Sequence, residues 1–368
     1  MILKSIRLIN YRNIAFQDID LHPHWNLFYG ANAQGKTNIL ESIYLTARGR
    51  SFKNVPDREL VRFGQRSAYV LSDLERKGRD KRVEVKISRV ERKRIRINEV
   101  EMENTRELKD QFEVVLFAPE NLTLVQGGPG ERRAFLDDLL RSVDVAYPAL
   151  LRSYEKVLAQ RNYLLKSPKD GWFDRQLAVY DDQLAQAGSQ ITYKRRAMVD
   201  EIASLAPGFQ KDLSSQAEDL TLFYDSHLLE DGEALGPEEL KEKMKDLLFQ
   251  QREDDLALGH TGIGPHKDDL VFNLNGLSSR KFASQGQART MTLALKLSEL
   301  KILEKYKEIP PLLLLDDVFS ELDKKRSAYL LEAIGSYQTI LTSNHPIEGG
   351  LEGRRFRVEA GEIHVDDK

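Results

Sequence analysis

Eight residues near the start of the chain, GANAQGKT from Gly30 to Thr37, satisfy the pattern G-x-x-x-x-G-K-[ST]. Those residue types at that spacing suit the binding of a nucleotide's phosphate chain. Glycines let consecutive backbone N–H groups curl around phosphate oxygens without Cβ clashes. A helix starting there turns the positive end of its dipole toward the anion. Lys36 has the reach for the β and γ phosphates, and the Thr37 hydroxyl is a ligand for Mg²⁺. The flanks agree with the motif. Trp25 to Phe28 reads as a short buried strand, and Ile39, Leu40, Ile43 and Ala47 follow at helical spacing. The loop specifies a nucleoside triphosphate without saying which one.

A second constellation lies far along the chain, in LLLLDDVFSELD from Leu312 to Asp323. Four leucines in a row suit a strand buried on both faces. Ligands of α/β sheets sit beyond the carboxyl ends of such strands, where Asp316 and Asp317 fall. Neighbouring strand residues point opposite ways, so the two acids are assigned different tasks. Asp316 is expected to hold Mg²⁺, directly or through water. Asp317 is expected to orient and deprotonate an attacking water. The plainer alternative is a helix N-cap with a spare acid.

The third stretch is FASQGQART, Phe282 to Thr290, polar and glycine-centred and running into a helical pattern over Thr290 to Tyr306. Ser284, the Gly286 N–H and that helix's N-terminus together suit an anion. A polar helix cap is the bland reading of the same residues.

Elements must position these parts. Strand-like alternation covers Ile2 to Ile9, Phe16 to Leu21, Tyr69 to Leu74, Arg82 to Arg89 and Arg94 to Asn98, the last three as an antiparallel meander. Glu113 to Leu122 reads as a buried strand closed by Pro119. From Gly127 to about Gln216 helical patterns dominate, interrupted by the loop signals SPKDGW and APGF. Strands resume at Leu220 to Tyr224 and at Val271 to Leu274, the latter with an Asn275-Gly276 hairpin turn. Pro237 to Arg252 is a charged helix, and Gln338 to Thr342 a late strand. The expected class is α/β, a mixed sheet with flanking helices plus a β meander. The expected segments are 1–122 with the phosphate loop, a helical insertion over 123–218, and 219–368 with the acidic strand end.

The 368 residues carry a formal charge of −3, so any nucleic-acid binding depends on local basic patches. The absence of cysteine excludes disulfides, thiolate catalysis and Cys-ligated metal. No apolar run is long enough to span a bilayer, and a cytoplasmic protein with no membrane partner is expected.

Taken together, SQGQ is similar to the signature motif of ABC-type ATPases, and Asp316-Asp317 followed by SELD resembles their Walker B and D-loop. TSNH, Thr342 to His345, sits where their switch histidine follows the last strand. Within that class the chain resembles the RecF family of bacterial recombination mediators. The matching stretches are INYRN, GANAQGKTNILE, FAPENL, the GP-x-x-RR-x-FLD pattern at Gly128 to Asp137, GIGPHKDD, FASQGQART and LLLLDDVFSELD. They run in order along nearly the whole chain.

The resemblance implies an ABC-type ATPase head with a helical lid or arm, and an ATP-dependent homodimer. The signature of one protomer would serve nucleotide held by the other, so Ser284 is assigned a catalytic role in trans beside Lys36 and Asp317. The implied ATP contacts are Gly30, Ala31, Asn32, Ala33, Gln34, Gly35, Lys36, Thr37, Asn38 and Arg12, with Gln285, Gly286, Gln287, Asp323 and His345. The metal ligands are Thr37 and Asp316. Glu120 stands about where such ATPases place a Q-loop glutamine. Asp317 stands where many of them have glutamate, which implies slow turnover. The resemblance also implies double-stranded DNA as a partner, DNA-stimulated hydrolysis, and action with RecR and RecO to help load RecA at single-strand gaps. DNA contacts are expected on the meander, at Arg76, Lys77, Arg79, Lys81, Arg82, Arg92, Lys93 and Arg94, with alternate bases lining one face. Lys194-Arg195-Arg196 is a second candidate. The alternatives are a transporter-type ATPase subunit and an SMC-like chromosome-structuring ATPase. A short insertion between loop and signature would favour the first, and a long coiled coil the second.

Overall fold

Alternating burial along Ile2–Tyr11 (β1) and Ile14–Asp20 (β2) makes a two-faced hairpin whose inner residues, among them Leu3, Ile6, Leu8 and Ile14, are fully buried. The computed structural model describes residues 1–103, 108, 111–168, 171–229, 235–346 and 352–366. It divides into two compact units, Met1–Asn121 with Glu299–Lys368, and Leu122–Ser298.

The first unit holds two sheets. One is antiparallel, in the order β2-β1-β4-β5-β6-β7, with β4 Ser67–Arg76, β5 Arg79–Ser88, β6 Arg94–Ile97 and β7 Val100–Glu101. The expected meander is its larger half. The other sheet runs β15-β14-β3-β13-β12-β8. Its strands are β3 Trp25–Tyr29, β8 Val114–Phe117, β12 Leu312–Asp316, β13 Thr339–Ser343, β14 Gly353–Glu359 and β15 Glu362–Asp366. All neighbours in it are parallel except β14 and β15. Helix α1, Lys36–Arg48, packs against β12 and β13 of this sheet and β1, β4 and β5 of the other. A helix sandwiched in this way needs apolar residues on more than one face. Ile39, Leu40, Ile43, Leu45 and Ala47 are fully buried, and Thr46 satisfies its hydroxyl on Ile43 O and Ser72 Oγ. Sequence patterning did not pick out β14 and β15. In GRRFRVE only Phe356 and Val358 are buried, and the arginines between them hide the alternation.

The second unit contains α2 Thr123–Gln126, α3 Pro129–Val143, α4 Tyr147–Leu165, α5 Phe173–Leu213, β9 Leu220–Asp225, α6 Pro237–Gln250 and α7 Arg252–Leu258. It continues through β10 Asp269–Leu274, β11 Leu277–Ser278, α8 Ser279–Phe282 and the start of α9, Gln285–Lys307. Three sequence expectations need correcting here. The loop expected at APGF is helix: α5 runs through Pro207, with Ala206 and Gln210 buried on either side, so tertiary packing outweighs the proline's missing N–H. The strands after residue 219 group with the helices, because α5 packs on β9 and α3 on β10. Helix α9 starts at Gln285, five residues earlier than its apolar spacing suggests. Within the SPKDGW signal, Lys169 and Asp170 lie outside the described residues.

The GP-x-x-RR-x-FLD and GIGPHKDD stretches meet in this unit. Arg132 makes a two-pronged ion pair with Asp269 (2.7 and 2.8 Å), and Arg133 donates to Asp268 O. Arg195 pairs with Asp137 at 2.8 Å and donates to Pro265 O. Arg195 is only 3% exposed, so Lys194-Arg195-Arg196 is not the surface patch expected from the sequence. Lys194 reaches Asp144, and Arg196 approaches Asp200. The carbonyl of Thr261 can only accept, so His266 Nε2–H donates to it (3.0 Å) and Nδ1 accepts from Tyr154 Oη–H (2.6 Å). Burial pushes the His266 pKa down to about 4, so the ring is neutral and structural.

Candidate active site

The phosphate loop joins β3 to α1, and its conformation is held from outside. Gly35 sits at φ 115°, and a Cβ there would meet the Asn13 side-chain amide at 2.8 Å. Gly30, at φ 156°, would put a Cβ 2.3 Å from Val358 O. Asn13 Nδ2 donates to Gln34 O (2.9 Å), Asn38 Nδ2 donates to Asn13 Oδ1 (2.9 Å), and Gly361 N–H also donates to Gln34 O (3.0 Å). The β1–β2 turn and the β14–β15 turn therefore brace the loop from two sides. Ala31, Asn32 and Ala33 form its exposed rim, and Gly35 and Lys36 its buried base. Lys36 Nζ donates to Gly30 O, Ala31 O (3.1 Å) and Asn344 Oδ1 (2.8 Å). Burial lowers its pKa, against the opposing charges of Asp317 and Asp316.

Asp316 ends β12 directly opposite Thr342 of β13. Its Oδ1 accepts from Thr37 Oγ1 (2.9 Å) and Thr342 Oγ1 (2.7 Å). Burial raises its pKa, with the two hydroxyls working the other way. Asp317 has already left the strand. It adopts a left-handed conformation at φ 52°, ψ 27°, and its N–H donates to Thr342 Oγ1 (3.0 Å). The two acids thus diverge through this turn; strand alternation, invoked from the sequence, is not the cause. Asp317 makes no side-chain cap on the short helix Val318–Glu321, which removes the plain N-cap alternative. Its Oδ1 is buried without a hydrogen-bond partner, an acceptor that suits a water proton. Among the described residues no group of three or more His, Asp or Glu side chains gathers for a metal. One carboxylate beside one hydroxyl fits the oxygen ligands that Mg²⁺ prefers when phosphates and water supply the rest.

Other expected residues are placed as follows. Arg12, at φ 52°, directs its guanidinium onto the fully buried Glu41 carboxylate (2.6 and 2.7 Å), which also accepts from Ser51 Oγ. Glu120 lies exposed in the turn after β8, on the strand edge next to β12. Asp323 caps α10, Lys324–Ile334, by accepting from Arg326 N–H. His345 is exposed and does not reach Lys36; its neighbour Asn344 does. Spacing alone did not find Asn13, Thr342 or Asn344.

In the second unit, Ser284 Oγ accepts from the Gln287 N–H (3.2 Å) and Gln287 Oε1 accepts from the Ser284 N–H (2.9 Å). This reciprocal capping box fixes the start of α9 and leaves Ser284, Gln285 and Gly286 exposed. The cap reading and the anion-cradle reading of SQGQ are therefore compatible.

The basic meander does not present one continuous face. Arg82, Lys86, Arg94 and Arg96 are exposed, alternating with buried Val83, Val85, Ile87 and Ile95. Of these, Arg82 is paired with Asp73 (2.8 Å) and Arg94 with Glu91 (3.3 Å). Lys77 and Arg79 stand exposed at the β4–β5 hairpin tip, and Arg92 in the β5–β6 turn. Arg76 and Lys81 reach Gln111, and Lys93 reaches Gly49 O and Asp57. Residue-by-residue reversal in a strand sends part of the set elsewhere.

Residues 2–345 match the family described as RecF/RecN/SMC N terminal domain. The DNA replication and repair protein RecF of Alkaliphilus oremlandii is 37% identical over 344 residues, covering 93% of each chain. A solved structure of the recombination mediator protein RecF with ATP, in the RecFOR pathway, superposes with a TM-score of 0.90. It is 34% identical and covers 99% of this chain and 97% of its own. The Smc head domain of Pyrococcus furiosus shares the fold, with a TM-score of 0.58 at 15% identity, over 99% of this chain and 96% of its own.

Proposed function

This chain belongs to the RecF family within the RecF/RecN/SMC group, and from that premise we propose that it is an ATP-dependent DNA-binding ATPase of recombinational repair. The observation that carries the reading is the convergence of Lys36, Thr37, Asp316 and Asp317 at the carboxyl ends of the parallel strands β3, β13 and β12.

In this reading Lys36 exchanges neutral carbonyl and amide partners for the more strongly accepting β and γ phosphate oxygens. Loop N–H groups from Ala31 to Thr37 hold the remaining oxygens, with Asn38 supporting the loop. Thr37 and Asp316 would hold Mg²⁺, which when bound would supply positive charge against the phosphates. Asp317 orients the attacking water and accepts its proton on the buried, partnerless Oδ1. Its arm is one methylene shorter than glutamate, which favours slow turnover.

Ser284, Gln285, Gly286 and Gln287 serve the nucleotide of a second protomer, with Asp323 near that junction. Such a shared site makes ATP bind the dimer more tightly than the monomer, so nucleotide drives association by linkage. Hydrolysis removes the bridging phosphate and releases the pair. The dimer clamps double-stranded DNA through exposed bases of the antiparallel sheet, chiefly Lys77, Arg79, Arg82, Arg92 and Arg94. Such phosphate contacts predict steep salt dependence and little sequence preference. DNA stimulates hydrolysis, and the cycle acts with RecO and RecR to help RecA load at gaps.

Light-scattering mass with and without Mg²⁺ and a slowly hydrolysed ATP analogue tests the shared site. The mass should double only when nucleotide and Mg²⁺ are both present. A mass that stays monomeric, with or without duplex DNA, would overturn the shared-site reading.

A further inference from the structure

The GP-x-x-RR-x-FLD and GIGPHKDD stretches, which the nucleotide site does not use, line an open cleft of about 270 Å³ that lies wholly within the second unit. Helices α3 and α4 are joined by the short turn 144–146, yet each packs more closely on α5 than on the other. They diverge from that turn, and the cleft is the space between them. Its floor is already satisfied. Arg195 is spent on Asp137, Tyr147 and Pro265 O, and both ring nitrogens of His266 are engaged. The two walls differ. On α3, Arg133 and Arg141 share one side about 12 Å apart along the axis, with the exposed Ala134 between them. On α4 the wall is apolar at Leu151 and Leu158, with Glu155 exposed between them.

The arginine wall has donors to spare. Arg133 gives Nη1 to Asp268 O (2.7 Å), and its Nε and Nη2 make no hydrogen bond to the described residues. That free edge carries two parallel N–H donors, the fork that grips a carboxylate. Arg141 holds Asp138 at 3.0 Å, a part-exposed pair of the kind that exchanges readily. We propose that this cleft docks an acidic, amphipathic peptide segment of a partner protein. Its carboxylates sit on Arg133 and Arg141, and its apolar side chains lie against Leu151 and Leu158. Charge complementarity along α3 selects the acidic side, and the apolar wall of α4 selects the other. Glu155 repels a chain that is acidic on every side, so the segment is two-faced. A duplex backbone is a poorer match. Its phosphates call for cations on an open surface, whereas these share a cleft with apolar side chains and an acid.

The test is fluorescence anisotropy on the full chain with two labelled peptides, a repeat of Asp-Leu-Asp-Phe and its Asn-Leu-Asn-Phe counterpart. Extended, the first presents acids on one side and apolar groups on the other. It should bind saturably, and the second about tenfold more weakly, the scale of one charge-assisted hydrogen bond. Arg141→Glu should weaken the acidic peptide at least about tenfold. Ala134→Trp, which fills the cleft from an exposed position, should abolish its binding. Glu155→Lys should tighten it about threefold, a gain that a misfolded chain cannot give. No saturable binding of the acidic peptide, or an affinity that all three substitutions leave unchanged, would overturn the proposal. Equal binding of the two peptides would mark a merely apolar surface and overturn it too. If the substitutions altered binding of a labelled duplex and not of the peptide, the cleft would be a nucleic-acid contact and the proposal would fall.

Discussion

Asp317 combines three properties that a structural aspartate rarely shows together. It is a non-glycine residue in the left-handed region, its N–H is held by Thr342, and one carboxylate oxygen is buried without a donor. The conformational cost is met by the Thr342 bond and by the rigid strand behind it. Asp317→Asn keeps the shape and removes the proton acceptor. The expected result is an ATP-driven dimer of unchanged mass whose steady-state phosphate release falls at least a hundredfold. Release that stayed within about twofold would show that another group handles the water proton.

At the scale of the element, α9 depends on how it begins. The capping box between Ser284 and Gln287 satisfies two backbone donors of a 23-residue helix. Ser284→Ala should cost about 1 kcal/mol of stability, the usual worth of a cap, measured by urea unfolding. Ser284→Arg places a long cation where a second protomer's nucleotide site would dock. It should leave nucleotide binding by the monomer intact and abolish nucleotide-driven dimerisation. Dimerisation by Ser284→Arg at the unaltered concentration of nucleotide would separate the signature from the shared site.

Across the whole molecule, the second unit carries two buried groups that titrate against each other. Burial raises the Asp268 pKa to about 6, although Tyr224, Ser226 and Thr192 hydroxyls and Arg195 oppose the shift. Burial lowers His266 to about 4, with the Thr261 carbonyl opposing. The raised acid favours the folded state below its unfolded value of 3.8, and that contribution is lost as pH rises through about 6. The depressed histidine favours the folded state above 6.5, and that contribution is lost as pH falls through about 4. The two effects oppose each other over the same window, each of order ~3 kcal/mol. Relative to the unaltered chain, Asp268→Asn should lose stability as pH is lowered from 7 to 4, and His266→Gln should gain it. Unfolding midpoints that run parallel to the unaltered chain over that range would refute the opposition.

What lies within a few residues was legible without a structure. The phosphate loop, the four-leucine strand with its acids, and the meander all depend on local backbone geometry and on apolar periodicity. SQGQ belongs with them, since a capping box spans only four residues. The partners of those motifs were not legible. Lys36 meets Asn344 across 308 positions, and Thr37 meets Asp316 across 279. Those meetings follow from the strand order β3-β13-β12, which no spacing encodes. Tertiary packing likewise buried Arg195, carried α5 through Pro207, and sent Lys81 and Lys93 away from the exposed bases of the meander. The physical reason is common to all of them. A motif's own shape is set by short-range sterics and hydrogen bonds, whereas its partners are chosen when distant strands pair and bury their faces.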